Sequence, residues 1–268
     1  MKSALILLAS FAIACTSRAS GEMCTQQSMA ARFSTSNVIP LDYGGESWPA
    51  ISAALGKVAY ICATIKAEGF SDWPTIPVQI RAVQSLDTDF QNHIEKLLSQ
   101  TYDAGNRQAS LRTKREQLVT LGVEENQIEG LLKEFHFGVG VETTFSRVEL
   151  SNGMVLYSEI TTDLSPVHVD PTHSLISLIN SHLSDDAAAT GKDTNSFNIR
   201  PEVLSQIRLI DIVHSHPIPS SLSGGDQAIA QAFHDKFGDK IVISVASDFR
   251  SSNGQVVLFS AVNAGSVK

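Results

Sequence analysis

After its first fifteen residues the chain has no uninterrupted apolar run of about 18 residues, so nothing later in it is expected to cross a membrane. It also lacks a lysine- and arginine-rich block. Twenty basic residues stand against 28 acidic ones, a formal charge of −8. A nucleic-acid partner would require a basic face, so that class is excluded. No G-x-S-x-G supports a serine hydrolase. The "SGGD" at 223–226 lacks the longer glycine and lysine pattern of a phosphate cradle. There is no His-rich tract to suggest metal storage, and no internal repeat. Cysteine is scarce, with only Cys15, Cys24 and Cys62. None of the three lies near the chain's paired histidines, which argues against cysteine catalysis.

What is present suits a folded protein: 268 residues, 43% apolar and 18% charged, enough to bury a substantial core. The first 14 residues read as an export signal. Lys2 supplies the positive start, Ala4 to Ala14 the apolar stretch, and small residues lead to a cleavage point. Ala12-Ile13-Ala14-Cys15 resembles the lipobox of bacterial lipoproteins, which would make Cys15 the lipidated first residue. Ordinary cleavage near Ala19 is the other option. If Cys15 carries lipid, Cys24 and Cys62 remain as an even pair in an oxidising compartment, open to a disulfide. Equally, Cys62 is a small buried residue of the apolar "VAYICATI".

Residues 15–46, rich in Ser, Thr, Gly and Ala, read as an irregular tether. From 47 to 135 the pattern is mainly helical. Ile51, Leu55, Val58 and Ile61 or Cys62 share a face, with a stop at Gly69. Residues 86–122 predict one long helix or two, with a weak point at Gly105, and 123–135 a further short helix. The pattern changes near residue 136. "HFGVGVETTFSRVEL" and "MVLYSEITT" predict strands joined by a hairpin at Asn152-Gly153. A helix over 173–183, a polar surface loop over 184–196, a buried strand at "LIDIVHSH" and an amphipathic helix stopping at Gly238 follow. Two more strands flank Asn253-Gly254. The fold class expected is α+β, a helical N-terminal region followed at 136–265 by a mixed sheet flanked by helices.

His214 and His216 stand two apart at the end of an extended segment, so both imidazoles project to one side while Ser215 faces the other. Pro217 cannot continue a central strand, which puts the pair at a strand end, where cavities open. Asp226, in the first turn of the next helix, can fold back to the same point. Two imidazoles and a carboxylate are a donor set for a catalytic zinc that keeps a fourth position for water. An H-x-H pair can also be structural, and Ser223 and Asp226 match a helix capping box. Capping accounts for those two but not for the histidines, and it is compatible with ligation. Of the remaining histidines, His168 and His173 could line a substrate groove or be plain loop residues, and His182 and His234 read as surface positions.

"HSHP" (214–217) followed by "SGGD" (223–226) resembles the signature of the JAB/MPN (JAMM) metalloenzymes: an upstream Glu, H-[S/T]-H-P, a short loop, then S-x-x-D. The resemblance covers roughly 136–265 and leaves out the helical N-terminal part. The loop here, Pro217 to Leu222, is six residues long, one shorter than the family's usual spacing. The resemblance implies Zn²⁺ on His214, His216 and Asp226, with Ser223 steadying the oxyanion. It also implies a Glu that hydrogen-bonds the attacking water. Glu142 best fits that position, with Glu149 and Glu159 as rivals.

The function implied is a zinc-dependent peptidase or isopeptidase with a peptide or protein substrate. The export signal makes it a periplasmic or outer-membrane lipoprotein, or else a secreted protein, touching a membrane only through an N-terminal lipid. The alternative is a catalytically inactive JAB-like binding scaffold.

Overall fold

The segment "IRLIDIVHS" has the β-branched enrichment and the near-continuous apolar run of a strand buried on both faces, and it forms the strand that ends at the paired histidines. The computed structural model describes residues 40–41, 60–65, 76–134, 140–183, 188–218, 220–248 and 256–261. The export signal, Cys15, Cys24 and the Asn253-Gly254 turn lie outside these, and so does any Cys24–Cys62 pairing.

Among the described residues the strands are β1 (Pro40–Leu41), β2 (Tyr60–Ile65), β3 (Ile76–Ala82), β4 (Thr144–Leu150), β5 (Val155–Tyr157), β6 (Ala189–Thr190), β7 (Asn198–Ile199), β8 (Ile207–Ser215), β9 (Ile241–Asp248) and β10 (Val256–Ala261). Eight of them form one mixed sheet in the order β1-β2-β3-β10-β9-β8-β4-β5. β8 and β9 run parallel, with Ile210 opposite Ile241 and Ser215 opposite Ala246. β4 runs antiparallel to β8, with Thr144 opposite His214. A parallel pair needs a crossover, and the helix α6 (Gly224–Phe237) supplies it. The chain therefore leaves β8 at its C-terminal end and enters a helix there. In open α/β sheets this is where ligands bind.

Helices cover both faces. On one lie α4 (Thr172–Leu183), the short α5 (Pro201–Gln206) and α6. Their Leu175, Leu178, Ile179, Val203, Phe233 and Phe237 pack on Ile210, Ile212, Ile243, Val245 and Phe259 of the sheet. On the other lies α1 (Thr88–Thr101), capped by the Asp87 carboxylate accepting from the Phe90 N–H at 2.9 Å. α1 presents Phe90, Ile94, Leu97 and Leu98, at helical spacing, to Phe145, Val213, Ala246 and Leu258. Alternation along β8 thus sends Ile210, Ile212 and His214 to the α6 side, and Val213 and Ser215 to the α1 side.

The mixed sheet flanked by helices is as the sequence predicts, but three details differ. The helical pattern of 47–69 does not hold at Tyr60–Ile65, which is strand and pairs antiparallel with β3. β3 itself also lies inside the expected helical region. A short apolar run fits a buried strand as well as a helix face, and pairing with β10 decides the matter at β3. Second, 184–196 is not wholly a surface loop. Ala188 and Ala189 are buried in the core, and β6 pairs with β7. Third, the long helical stretch breaks at Tyr102-Asp103, ahead of Gly105. There the Asp103 carboxylate caps α2 (Ala104–Thr120), which leads on to α3 (Glu125–Glu134). The Asn152-Gly153 hairpin forms as expected, with Gly153 at φ 89°.

Phe90 is 1% exposed, meets Phe145 edge-on at 6.2 Å and lies under the Arg147 guanidinium at 5.1 Å. Phe90→Ala should destabilise the protein by about 3–5 kcal/mol, read from the urea midpoint. A loss within about 0.5 kcal/mol, as at a surface site, would mean that α1 does not seal this face.

Candidate metal centre

His214 ends the buried part of β8, and His216 follows after one residue, on the same side. Their Nε2 atoms stand 3.1 Å apart. The Asp226 carboxylate faces both, with Oδ1 3.0 Å from His214 Nε2 and Oδ2 3.3 Å from His216 Nε2. All three residues are buried, and among the described residues theirs is the one group of this kind able to hold a metal ion.

The helix cap aims the carboxylate. Ser223 is the N-cap of α6, its Oγ accepting from the Asp226 N–H at 3.3 Å while Asp226 Oδ2 accepts from the Ser223 N–H at 2.6 Å. Capping and convergence are therefore one arrangement: the bond that closes the cap also turns the carboxylate towards the imidazoles.

The donor set fits a metal ion. Zinc bonds of about 2.0–2.1 Å in a tetrahedron place neighbouring ligand atoms roughly 3.3–3.4 Å apart. The two imidazole nitrogens stand 3.1 Å apart and Asp226 Oδ1 lies 3.0 Å from one of them, close to two edges of such a tetrahedron, and one ligand atom from each of the three residues lies within 4.8 Å of the others. Without a cation, two imidazole nitrogens of the same kind face each other across 3.1 Å and only one proton can lie between them. The charges are poised accordingly. Burial works to raise the Asp226 pKa, but His214 and His216 hold it well below the ordinary carboxylate value. Burial works to lower that of His214, yet the Asp226 charge and hydrogen bond, together with Glu142, raise it.

A cavity of about 390 Å³ opens at this point. His214, Asp226, Ser223 and Glu142 line it, over an apolar floor of Ile212, Ile229 and Ile243. Glu142 sits in an extended segment just before β4 rather than on the strand. Its N–H donates to the Ser165 carbonyl at 2.7 Å, and its carbonyl accepts from Thr162 Oγ1 at 2.6 Å. The loop that clamps it carries Leu164 at φ 56°, a costly backbone for a non-glycine residue. Burial raises the Glu142 pKa, against the pull of both imidazoles. Of its two rivals, Glu149 is paired with Arg208 and, at 3.4 Å, with Arg147 at the far end of β4. Glu159 is exposed, and neither lines the cavity.

His168 lines the cavity and His173 does not. His182 is exposed, as expected. His234 is part-buried, next to the exposed carboxylates of Asp235 and Asp239.

Ser215, between the two histidines, faces α1 and joins a wholly buried hydroxyl cluster. Its Oγ lies 2.5 Å from Thr101 Oγ1 and 2.9 Å from Thr143 Oγ1, and the two threonines are 2.8 Å apart. Thr143 follows Glu142, so the cluster ties helix α1, the Glu142 segment and the histidine strand together. The approach is close. The Val141 N–H donates to the Thr101 carbonyl at 3.0 Å, and a Cβ on Gly140 would come within 2.4 Å of that oxygen. Single-sequence periodicity carries no signal for such contacts between distant segments.

With zinc as the probe the protein should hold one ion per chain, and His216→Ala should weaken that binding strongly, measured by metal analysis after dialysis. Equal zinc in both proteins would contradict the assignment of these ligands.

Comparison of the chain with protein-family models, with curated proteins and with solved structures finds no match.

Proposed function

We propose that the protein is a zinc-dependent amide hydrolase, a peptidase or isopeptidase of the JAB/MPN kind. The observation that carries this reading is the convergence of His214, His216 and Asp226, two of which, His214 and Asp226, line one cavity together with the buried Glu142. Two imidazole nitrogens and one carboxylate oxygen are a donor set that suits zinc. When bound, the ion supplies Lewis acidity, lowering the pKa of a coordinated water to about 7 and polarising a carbonyl.

The remaining chemistry belongs to the chain. Glu142 takes the proton of the attacking water and passes it to the leaving amine. Burial raises its pKa, which makes this carboxylate a stronger base than an exposed one. Ser223 Oγ accepts from the Asp226 N–H, which leaves its own hydrogen to donate to the oxyanion developing on the attacked carbonyl. Ile212, Ile229 and Ile243 exclude water beneath the reacting groups.

The inactive-scaffold alternative draws on the short loop between His216 and Ser223. The intact donor trio beside Glu142 weighs against it, since a lapsed site is expected to lose a ligand. The substrate is a peptide or protein met outside the cytoplasm, reached either by a lipoprotein anchored through Cys15 or by a protein released after ordinary signal cleavage.

Hydrolysis of an amide substrate should stop with chelator and return with added zinc. Glu142→Gln should lower kcat by about 10²–10⁴-fold while zinc content stays at one per chain. Hydrolysis that persists in chelator, or a Glu142→Gln variant as active as the parent, would overturn the reading.

A further inference from the structure

We propose that Ser220 is a positioning residue that holds His216 in its ligand-ready orientation, with Ser247 anchoring Ser220 to the sheet. The inference deepens the metal-centre reading and rests on it.

Outward of the donor atoms, His216 Nδ1 lies 2.6 Å from Ser220 Oγ. To present a lone pair at Nε2 the imidazole must carry its hydrogen on Nδ1, so Nδ1–H donates and Ser220 Oγ accepts. Ser220 is in turn clasped by β9: its N–H donates to Ser247 Oγ at 3.1 Å, and the Ser247 hydroxyl donates back to the Ser220 carbonyl. Ser247 is fully buried, and two residues beyond Ser220 the Leu222 side chain is fully buried in the core. The short loop from Pro217 to Leu222 is thereby fixed at two points, and its hydroxyl arrives where His216 needs a partner.

The two ligating histidines are held differently. His214 bonds to the backbone at Ser244, within the sheet, a contact that substituting the Ser244 side chain leaves in place. Its ring also sits on β8, flanked by β4 and β9. His216 lies beyond the end of the strand, so its ring depends on a side-chain hydroxyl carried by a loop. Partners of this outer kind orient a metal-binding imidazole and fix its tautomer, and losing one weakens metal affinity by about 10–100-fold. His216 is therefore the ligand whose orientation one substitution outside the donor set can release.

The test is Zn²⁺ affinity of the full chain, by competition with a chromophoric chelator, together with the visible spectrum of the Co²⁺-loaded protein. The unsubstituted protein, Ser220→Ala, Ser220→Thr and His216→Ala are compared. Ser220→Ala should bind zinc about 10–100-fold more weakly and shift the cobalt bands, while Ser220→Thr, which keeps the hydroxyl, should restore both. A residue that merely closed the loop would change thermal stability and leave affinity and spectrum alone. Affinity within twofold of the parent with an unchanged cobalt spectrum in Ser220→Ala would overturn the proposal, as would a Ser220→Thr variant as weak as Ser220→Ala. If Ser220→Ala matches the parent in both readouts while His216→Ala abolishes binding, the metal centre stands and the positioning role falls. If the unsubstituted protein binds no zinc, both fall.

Discussion

The Asp226 carboxylate, turned inward between two imidazoles, is the contact on which the rest of the site depends. Each of its oxygens faces one histidine, and Oδ2 also takes the Ser223 N–H. Buried negative charge is expensive unless it is met by hydrogen bonds and opposite charge. Here the helix cap supplies a hydrogen bond and an imidazole faces each oxygen. The same imidazoles need the carboxylate, since two of their nitrogens otherwise face each other unscreened. A divalent cation between the three groups resolves both requirements at once.

The fold appears as the means of holding that arrangement still. β8 is an interior strand, flanked by β4 and β9, and the crossover to β9 places the start of α6 directly over its end. Behind it, the hydroxyls of Thr101, Thr143 and Ser215 couple helix α1 to the segments that carry Glu142 and the histidines. In front, Ser247 and Leu222 tie down the loop between His216 and Asp226. The helical segment ahead of the histidine-bearing half is thus not an appendage. One of its helices forms the rear wall of the site.

Much of this could be read from residue order alone, and the reasons are local. The two-residue period of a strand puts His214 and His216 on one side without any knowledge of the fold. Pro217 ends the strand, and S-x-x-D places Asp226 in the first helical turn. Those rules act within a dozen residues, so they survive folding. Choosing among Glu142, Glu149 and Glu159 was a different problem, because the distance from each to the histidines is set by the pairing of β4 with β8. Only that register carries Glu142 to the cavity and sends Glu149 away to Arg208. The strand at Tyr60–Ile65 was hidden for a similar reason. Its apolar run suits either period, and the pairing partner that decides it, β3, is met only after folding. Ser220 and Ser247 were illegible too, since a serine in a loop carries no mark of what it touches.

The proposed chemistry requires three side chains of this chain to grip a divalent ion and leave a corner for water. X-ray absorption at the zinc edge of the loaded protein tests it most directly. The first shell should contain about four nitrogen and oxygen neighbours near 2.0–2.1 Å, with the outer-shell signature of two imidazoles. A sulfur neighbour, or a first shell without imidazole, would contradict it.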